Sequence, residues 1–520
     1  MNANFAPHAF NILTVAVSAA IFTLPLQAGA QSQNLYFNDI TDNDSSYISN
    51  PSNWFTDAGK TERFDGSLDG SYDGYISGQG ALTVKVAAHQ KPVFGNLYYS
   101  LSEFNAGGDS MVFGNDCELR TVGDLSTNFT LSEESSVEYG QQLTQKITLW
   151  TNAKIRIGGD WLINVDRNGS KDYMSLRITE GGTPGTASVQ VAGDVVAASG
   201  TFIFSTDNLN FSAGGSMRLG GSQWNLLSNN TQSETFTRTV GGIGEAGGGG
   251  GSVRFNIAKE NWVTAPARTV NLVLANSSAY DVSGSFAMHE NSLDMLNIIM
   301  TASDARNGRQ TLRFGSTSSY WCNSTQMSNA NINNAAVSSG RLDIGMHSGM
   351  KGNNLSIEGY SGNAADAVFS AAGLSAGEDV GRVQFDSMTF HEGTIVFDLA
   401  EIDCDFIQIN GGVTKLSDSA KIVFDINIAK DDLQMYLEAL GAETMEWDLM
   451  SFKTEGSDFD IADIILKTQA GIGGELNFLA DGSSGLTTVQ LSLGLVPEPS
   501  AIAAILGAFA LAFAIRRAKK

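Results

Sequence analysis

Between residues 31 and 495 the chain runs in short stretches of alternating apolar and polar residues, broken every ten to twenty positions by Gly, Asn, Asp or Ser. Leu82-Thr83-Val84-Lys85-Val86, Lys154-Ile155-Arg156-Ile157, Val189-Gln190-Val191, Arg382-Val383-Gln384-Phe385 and Ile422 to Ile428 are examples. A period of two bounded by turn formers predicts half-buried strands. Only Asp431 to Leu440 departs clearly, with Leu433, Tyr436, Leu437 and Leu440 on one helical face and Gly441 as the stop.

The turns also recur. Gly-Asp followed by an apolar residue stands at Gly123-Asp124-Leu125, Gly159-Asp160-Trp161 and Gly193-Asp194-Val195, spaced 36 and 34 residues apart. Gly214-Gly215-Ser216-Met217 and Gly220-Gly221-Ser222 are related. A unit of this size cannot bury its own apolar face, so recurrence predicts stacked coils or blades. WD40 and kelch signatures are missing. The expectation is therefore an all-β ectodomain folded as a right-handed parallel β-helix, a row of β-sandwiches being the next option. Segment 241–252, with Gly247 to Gly251 consecutive, reads as a flexible loop or linker. A phosphate cradle there would need a following Lys and a helix start, whereas Ser252-Val253-Arg254-Phe255 reads as a strand.

The two ends read differently. Residues 1–30 form a signal peptide pattern: the apolar run Ile12 to Leu26, then Ala28-Gly29-Ala30, placing cleavage before Gln31. The first positions lack Lys and Arg and carry only the α-amino group and His8. At the other end, Val496-Pro497-Glu498-Pro499-Ser500 leads into Ala501 to Ile515, an uncharged stretch closed by Arg516-Arg517-Ala518-Lys519-Lys520. As a helix rising about 1.5 Å per residue, 501–515 spans roughly 22 Å, short of a hydrocarbon core of about 30 Å. Snorkelling by Arg516 and Arg517 and local thinning close the gap. The basic tail should stay cytoplasmic, leaving 31–495 outside the inner membrane.

The order Pro-Glu-Pro, short apolar helix, basic tail resembles the PEP-CTERM sorting domain. The resemblance covers about 25 residues, 496–520. It implies that Pro497, Glu498 and Pro499 are read by an exosortase, a membrane-embedded transpeptidase-like partner that removes the anchor. The implied fate is the cell surface or extracellular polymer. Gly393-Thr394-Ile395-Val396-Phe397-Asp398, Asp403 to Gly411 and Leu416 to Ile426 resemble the repeats of autotransporter passengers, clearest over 340–430. That likeness implies a β-helical fold. No translocating membrane barrel follows in the sequence, so autotransport itself is not implied.

Charge narrows the partners. The chain holds 55 acidic against 31 basic residues, a net of −24, and four of the basic ones are in the final five positions. Such a surface repels nucleic acid and anionic polymers and would attract divalent cations or basic partners, its simplest role being solubility; extracellular polysaccharide is a further partner of a displayed protein. Cys117, Cys322 and Cys404 are far apart and form no C-x-x-C, which speaks against structural zinc and redox motifs and reads as buried free thiols. His89, His289, His347 and His391 are isolated, and no Gly-x-Ser-x-Gly elbow exists. Asp65, Ser67, Asp69 and Asp73 match the first, third, fifth and ninth positions of a calcium loop with Gly70 at the sixth, but Ile76 stands where the bidentate Glu belongs. A solvated Asp-Gly turn array is the simpler reading, and no cofactor is expected. Glu401, Asp403 and Asp405 alternate with Ile402, Cys404 and Phe406, which on a strand places carboxylates roughly 7 Å apart on one wet face, a glycosidase-like separation as well as an ordinary one. Two function classes result: a displayed structural or adhesive protein without catalysis, and a secreted β-helical polysaccharide lyase or glycoside hydrolase.

Overall fold

The computed structural model describes residues 33–496, leaving aside 39–45, 80–81, 105–107, 133–141, 167–172, 184, 200–201, 207–208, 227–234, 247–251, 255–268, 276–277, 282–285, 288–294, 303–307, 315–330, 347–350, 360–366 and 374–379. The regular structure of the described residues is nearly all β, and α1 (Lys430–Leu440) is their one α-helix.

The strands pair in parallel with the equivalent strand of the next coil, so the chain stacks as a solenoid. Over its first half each coil contributes to three sheets. Val93–Phe94 lies in sheet C, Leu97–Phe104 in sheet A and Gly108–Phe113 in sheet B, and the cycle repeats with Glu118–Thr121, Leu125–Leu131 and Gln142–Leu149. Sheet A is nine-stranded and sheet B eight-stranded. Sheet A ends at Ile243–Glu245, and sheet D begins with Ala279–Asp281 and Arg309–Phe314. Sheet B ends at Phe286–Ala287, and beyond it the described coils have two sides, C and D; the long strand Asn331–Met346 serves both, its first half in C and its second in D.

Coils stack because each inward position repeats an apolar residue. The register of sheet A aligns Leu97, Leu125, Trp161, Val195, Met217 and Ile243. All six are fully buried. One contiguous apolar cluster runs from Leu35 to Leu493, which is what a stack of units with shared faces requires. Its ends are closed by antiparallel pairing. Trp54–Phe55 folds back on Gln33–Phe37, and the strands Thr444–Lys453, Leu486–Leu495 and Ile472–Asp481 form a terminal meander. α1 covers the same end with Leu433 and Leu437 buried, and Gly441 ends it in the left-handed conformation with its N–H on Glu438 and Leu437 carbonyls.

The runs read from the sequence are strands: Lys154–Ile157, Ser188–Val191, Arg382–Phe390 and Lys421–Asn427. Segment 241–252 differs from its reading as a linker. Ile243–Glu245, inside that segment, is a strand paired to Met217–Leu219, while Ser252–Arg254 is the strand its sequence suggested, paired to Gln223–Asn225, and Gly247 to Gly251 lie outside the described residues.

Candidate functional site on the outer face of sheet A

The recurring Gly-Asp turn builds a ladder along one edge of sheet A. Asp73 Oδ1 accepts the Asn96 N–H at 2.7 Å, and Asn96 Oδ1 accepts that of Asp124 at 2.8 Å. Asp124 Oδ1 takes the Asp160 N–H at 2.8 Å, Asp160 Oδ1 that of Asp194 at 2.8 Å, and Asp194 Oδ1 that of Ser216 at 2.7 Å. The preceding glycines form a parallel backbone ladder, Gly123 N–H to Gly95 O, Gly159 to Gly123, Gly193 to Gly159 and Gly215 to Gly193. Glycine is required at these turns for space. A Cβ on Gly159 would lie 2.1 Å from Asp124 Oδ1, and one on Gly193 would lie 2.0 Å from Asp160 Oδ1. The apolar residue after each Asp is the first inward residue of sheet A. The whole tripeptide is thus one device: space, acceptor, core.

A second outward column follows the register Tyr36, Tyr75, Tyr98, Ser126, Leu162, Val196, Arg218, Gly244. Its three tyrosines stack, with centroids 5.5 Å apart for Tyr36–Tyr75 and 4.7 Å for Tyr75–Tyr98. Burial, then the neighbouring charges, raise the hydroxyl pKa of Tyr75 and Tyr98. On the next column Asn164 donates to Asn128 Oδ1 at 2.8 Å. Sheet C carries its own ladder, Asn297 to Asn271, Asn333 to Asn297 and Asn353 to Asn333. Outward polar groups are mostly spent on each other, coil to coil.

The pattern breaks where sheet A gives way to sheet D. Past Ser216 the next ladder position is Gly242, which has no side chain. Tyr280 lies over Gly242 and Gly244, whose added Cβ atoms would meet the ring at 2.3 and 3.1 Å. The buried Gln310 amide replaces the missing strand, accepting the Ile243 N–H at 2.7 Å and donating to Ile243 O at 2.9 Å. Beside this seam a cleft of about 320 Å³ is lined by Asp194, Ser216, Arg218, Gly244, Glu245, Ala279 and Tyr280. Arg218 Nη1 stands 3.7 Å from Asp194 Oδ2, and its Nε donates to Glu245 O at 3.4 Å. Sequence reasoning missed Arg218 and Tyr280, since only the register brings them together.

The residues singled out from the sequence fall as follows. Ala28, Ala30, Pro497, Glu498, Pro499, Arg516, Arg517, Lys519 and Lys520 lie outside the described residues, as do Cys322, His289 and His347. Asp65, Ser67 and Asp69 are exposed, Asp69 accepting the Ser71 N–H at 3.0 Å, while Asp73 is buried in the ladder. The four do not converge. Among the described residues no group of three or more His, Cys, Asp or Glu could hold a metal ion.

Glu401, Asp403 and Asp405 are not on one strand face. Leu399 bridges Cys404 across a tight turn, which leaves Ile402 92% exposed and Asp405 fully buried, the reverse of the alternation. Asp403 pairs with Arg382 at 2.9 Å. Asp405 Oδ1 accepts the Gly381 N–H at 2.7 Å, and Oδ2 faces the Asp398 N–H and the Ser370 hydroxyl, each at 3.1 Å. Burial pushes the Asp405 carboxyl up to about 8. The proton has a place: Ser370 Oγ also lies 3.0 Å from Ala371 O, so it can accept from Asp405 and donate onward. Nearby, the buried Asp343 is held by Arg309 and by Arg341, the latter at 2.7 Å. Asp405 and Asp343 are closed to solvent and offer no surface to a substrate, whereas Asp403 is half-exposed and held by Arg382 and Glu401 is exposed.

Cys117 and Cys404 are free and buried, and burial pushes both thiols up to about 12. Among the described residues no helix is long and apolar enough to cross a membrane. Compared with protein-family models and with curated proteins, the chain matches none.

Proposed function

We propose that this chain is an exported surface or extracellular-matrix protein, structural or adhesive and without catalysis, sorted by an exosortase through Pro497, Glu498 and Pro499. On this reading the solenoid is a right-handed β-helix, the hand favoured for crossovers between parallel strands. Residues 1–30 direct export, and 501–515 with Arg516, Arg517, Lys519 and Lys520 hold the protein in the inner membrane until processing. The observation that carries the non-catalytic reading is the ladder itself. Asp124, Asp160 and Asp194, the carboxylates most regularly placed in the sequence, are each bonded to the next coil's backbone instead of converging on one point.

The sorting reading rests on the sequence: Pro497-Glu498-Pro499, the uncharged run 501–515 and the basic residues Arg516, Arg517, Lys519 and Lys520 follow one another in the order of a sorting signal.

Replacing Pro497, Glu498 and Pro499 with alanine in native cells tests the proposal. Full-length protein should accumulate in the inner membrane, with the tail intact by mass spectrometry. Surface protein trimmed as in wild type would refute recognition through these three residues.

A further inference from the structure

We propose that the cleft at the seam between sheets A and D binds a saccharide unit of an uncharged polysaccharide, with Tyr280 as the platform and Arg218, Asp194 and Glu245 as the hydroxyl-reading groups. The inference deepens the display reading by naming what the displayed body holds.

Four observations carry it. First, Tyr280 is laid flat by its setting. Gly242 and Gly244 occupy outward positions of sheet A, and the ring covers both, which only glycine permits. A ring held by backbone on one side presents the other to the cleft, and a flat apolar face beside a hydroxyl suits the C–H face of a pyranose. Second, Arg218 stands one coil before Gly244 on the same column, next to that ring. A guanidinium has five N–H donors, and the contacts to Asp194 and to Glu245 O leave several for a ligand. Third, the volume of about 320 Å³ is at the small end of ligand sites, suited to a short stretch of sugar residues. Fourth, the side-chain ladder ends here while the backbone ladder runs on from Gly241 N–H to Gly215 O: Asp194 Oδ1 takes both the N–H and the hydroxyl of Ser216, and Gly242 at the next position has no side chain.

Charge selects the class of ligand. The Asp194 carboxylate stands beside the one guanidinium, Glu245 also lines the cleft, and the chain carries a net −24, so phosphates, nucleotides and uronate polymers are repelled. A cationic ligand would meet Arg218 in the centre of the cleft. Neutral hydroxyls, which both donate and accept, satisfy carboxylate and guanidinium together.

The test is calorimetric titration of the purified full-length protein in detergent with cellohexaose and laminarihexaose, and with alginate as the anionic control. One neutral hexasaccharide should bind, with an affinity changed less than twofold between low and physiological salt. Tyr280→Ala and Arg218→Gln should each weaken it at least tenfold. Tyr280→Phe, which keeps the ring and the packing on Gly242 and Gly244, should retain binding within threefold and guards against a folding defect in the alanine variant. Binding of neither hexasaccharide, preference for alginate, or equal affinity in all variants would overturn the proposal. Cleavage of the bound hexasaccharide, abolished by Arg218→Gln, would support the site and overturn the non-catalytic reading. Because sorting is read in cells and binding on purified protein, either can fail without the other.

Discussion

If glycine precedes Asn96, Asp124, Asp160 and Asp194 only to make room, its requirement should vanish with the side chain it avoids. Asn96 and Gly123 are the best pair for the test. Gly123 is not in the left-handed region, so its need is purely spatial. A Cβ there would lie 2.2 Å from Asn96 Oδ1 and 3.1 Å from its Cγ, but 3.3 Å from the next neighbour, Gly95 O. Asn96→Ala leaves the Asp124 N–H without its 2.8 Å acceptor, at a cost of about 1–3 kcal/mol. Gly123→Ala alone drives a methyl into the same amide oxygen, and overpacking of that kind costs about 1–3 kcal/mol. In the double variant the clash partner is gone. The second substitution should then cost close to nothing, helped by about 0.4–1 kcal/mol from the stiffer unfolded chain. The expected coupling is about 2 kcal/mol in favour of the double variant. Solenoids need not unfold in one step, so a local measurement is the better assay. Amide exchange at Leu97 and Leu125 fits, since these N–H groups bond Asp124 O and Asp160 O at 3.0 and 2.9 Å. A coupling of 2 kcal/mol appears as roughly thirtyfold more protection than additive single effects allow. Additivity within about 0.5 kcal/mol would refute the spatial account of the Gly-Asp turn.

Further outcomes follow from the same contacts. Asp160→Asn keeps an acceptor for the Asp194 N–H and removes one of three stacked like charges, so thermal stability should hold or rise, more at low salt than at high; a loss above about 1 kcal/mol would contradict it. Asp405 has a folded pKa raised to about 8, so folding favours its protonated form; its contribution should be largest below about pH 4, fall as pH rises towards 8 and then level off. The difference in unfolding midpoint between wild type and Asp405→Asn, followed from pH 4 to 9, should show that trend, and a pH-independent difference would exclude it. Cys117 and Cys404 should resist iodoacetamide in the native protein at pH 8 and label fully in urea, as peptide mass spectrometry can show.

Period-two runs and the Gly441 stop were legible because burial acts on local alternation, and Lys154–Ile157 shows it to the residue. The repeat was legible only in part. Ladder partners stand 23, 28, 36, 34 and 22 residues apart, because the connecting segments vary while the rung does not. A search by fixed period finds the two similar intervals and misses the others. Alternation failed where a turn reversed the faces, as at Ile402 and Asp405. It also failed at Arg238, which takes a fully buried position in register with Phe211, donating to Leu209 O at 2.6 Å and lying over Phe236. The seam was illegible, since Gly242, Tyr280 and Gln310 meet through register across two sheets.

Where a ligand can be held on such a body follows from how its polar groups are spent. A carboxylate that accepts the next coil's N–H is committed to the fold, and removing it exposes an amide that then needs another partner. Along Asp73, Asn96, Asp124 and Asp160 this commitment is continuous, so that stretch of the outer edge of sheet A is stiff and chemically quiet, while Asp194 keeps Oδ2 on the cleft side. The commitment lapses when sheet A runs out. Gly242 brings no acceptor, a side-chain amide from Gln310 stands in for a strand, and Tyr280 covers bare backbone that would otherwise face water. The polar groups bordering this interruption, Arg218 above all, therefore retain hydrogen-bonding capacity beside an aromatic surface. In a solenoid whose rungs satisfy one another, recognition chemistry belongs at the places where the rung pattern fails, and the seam is the described place where that failure opens a cleft.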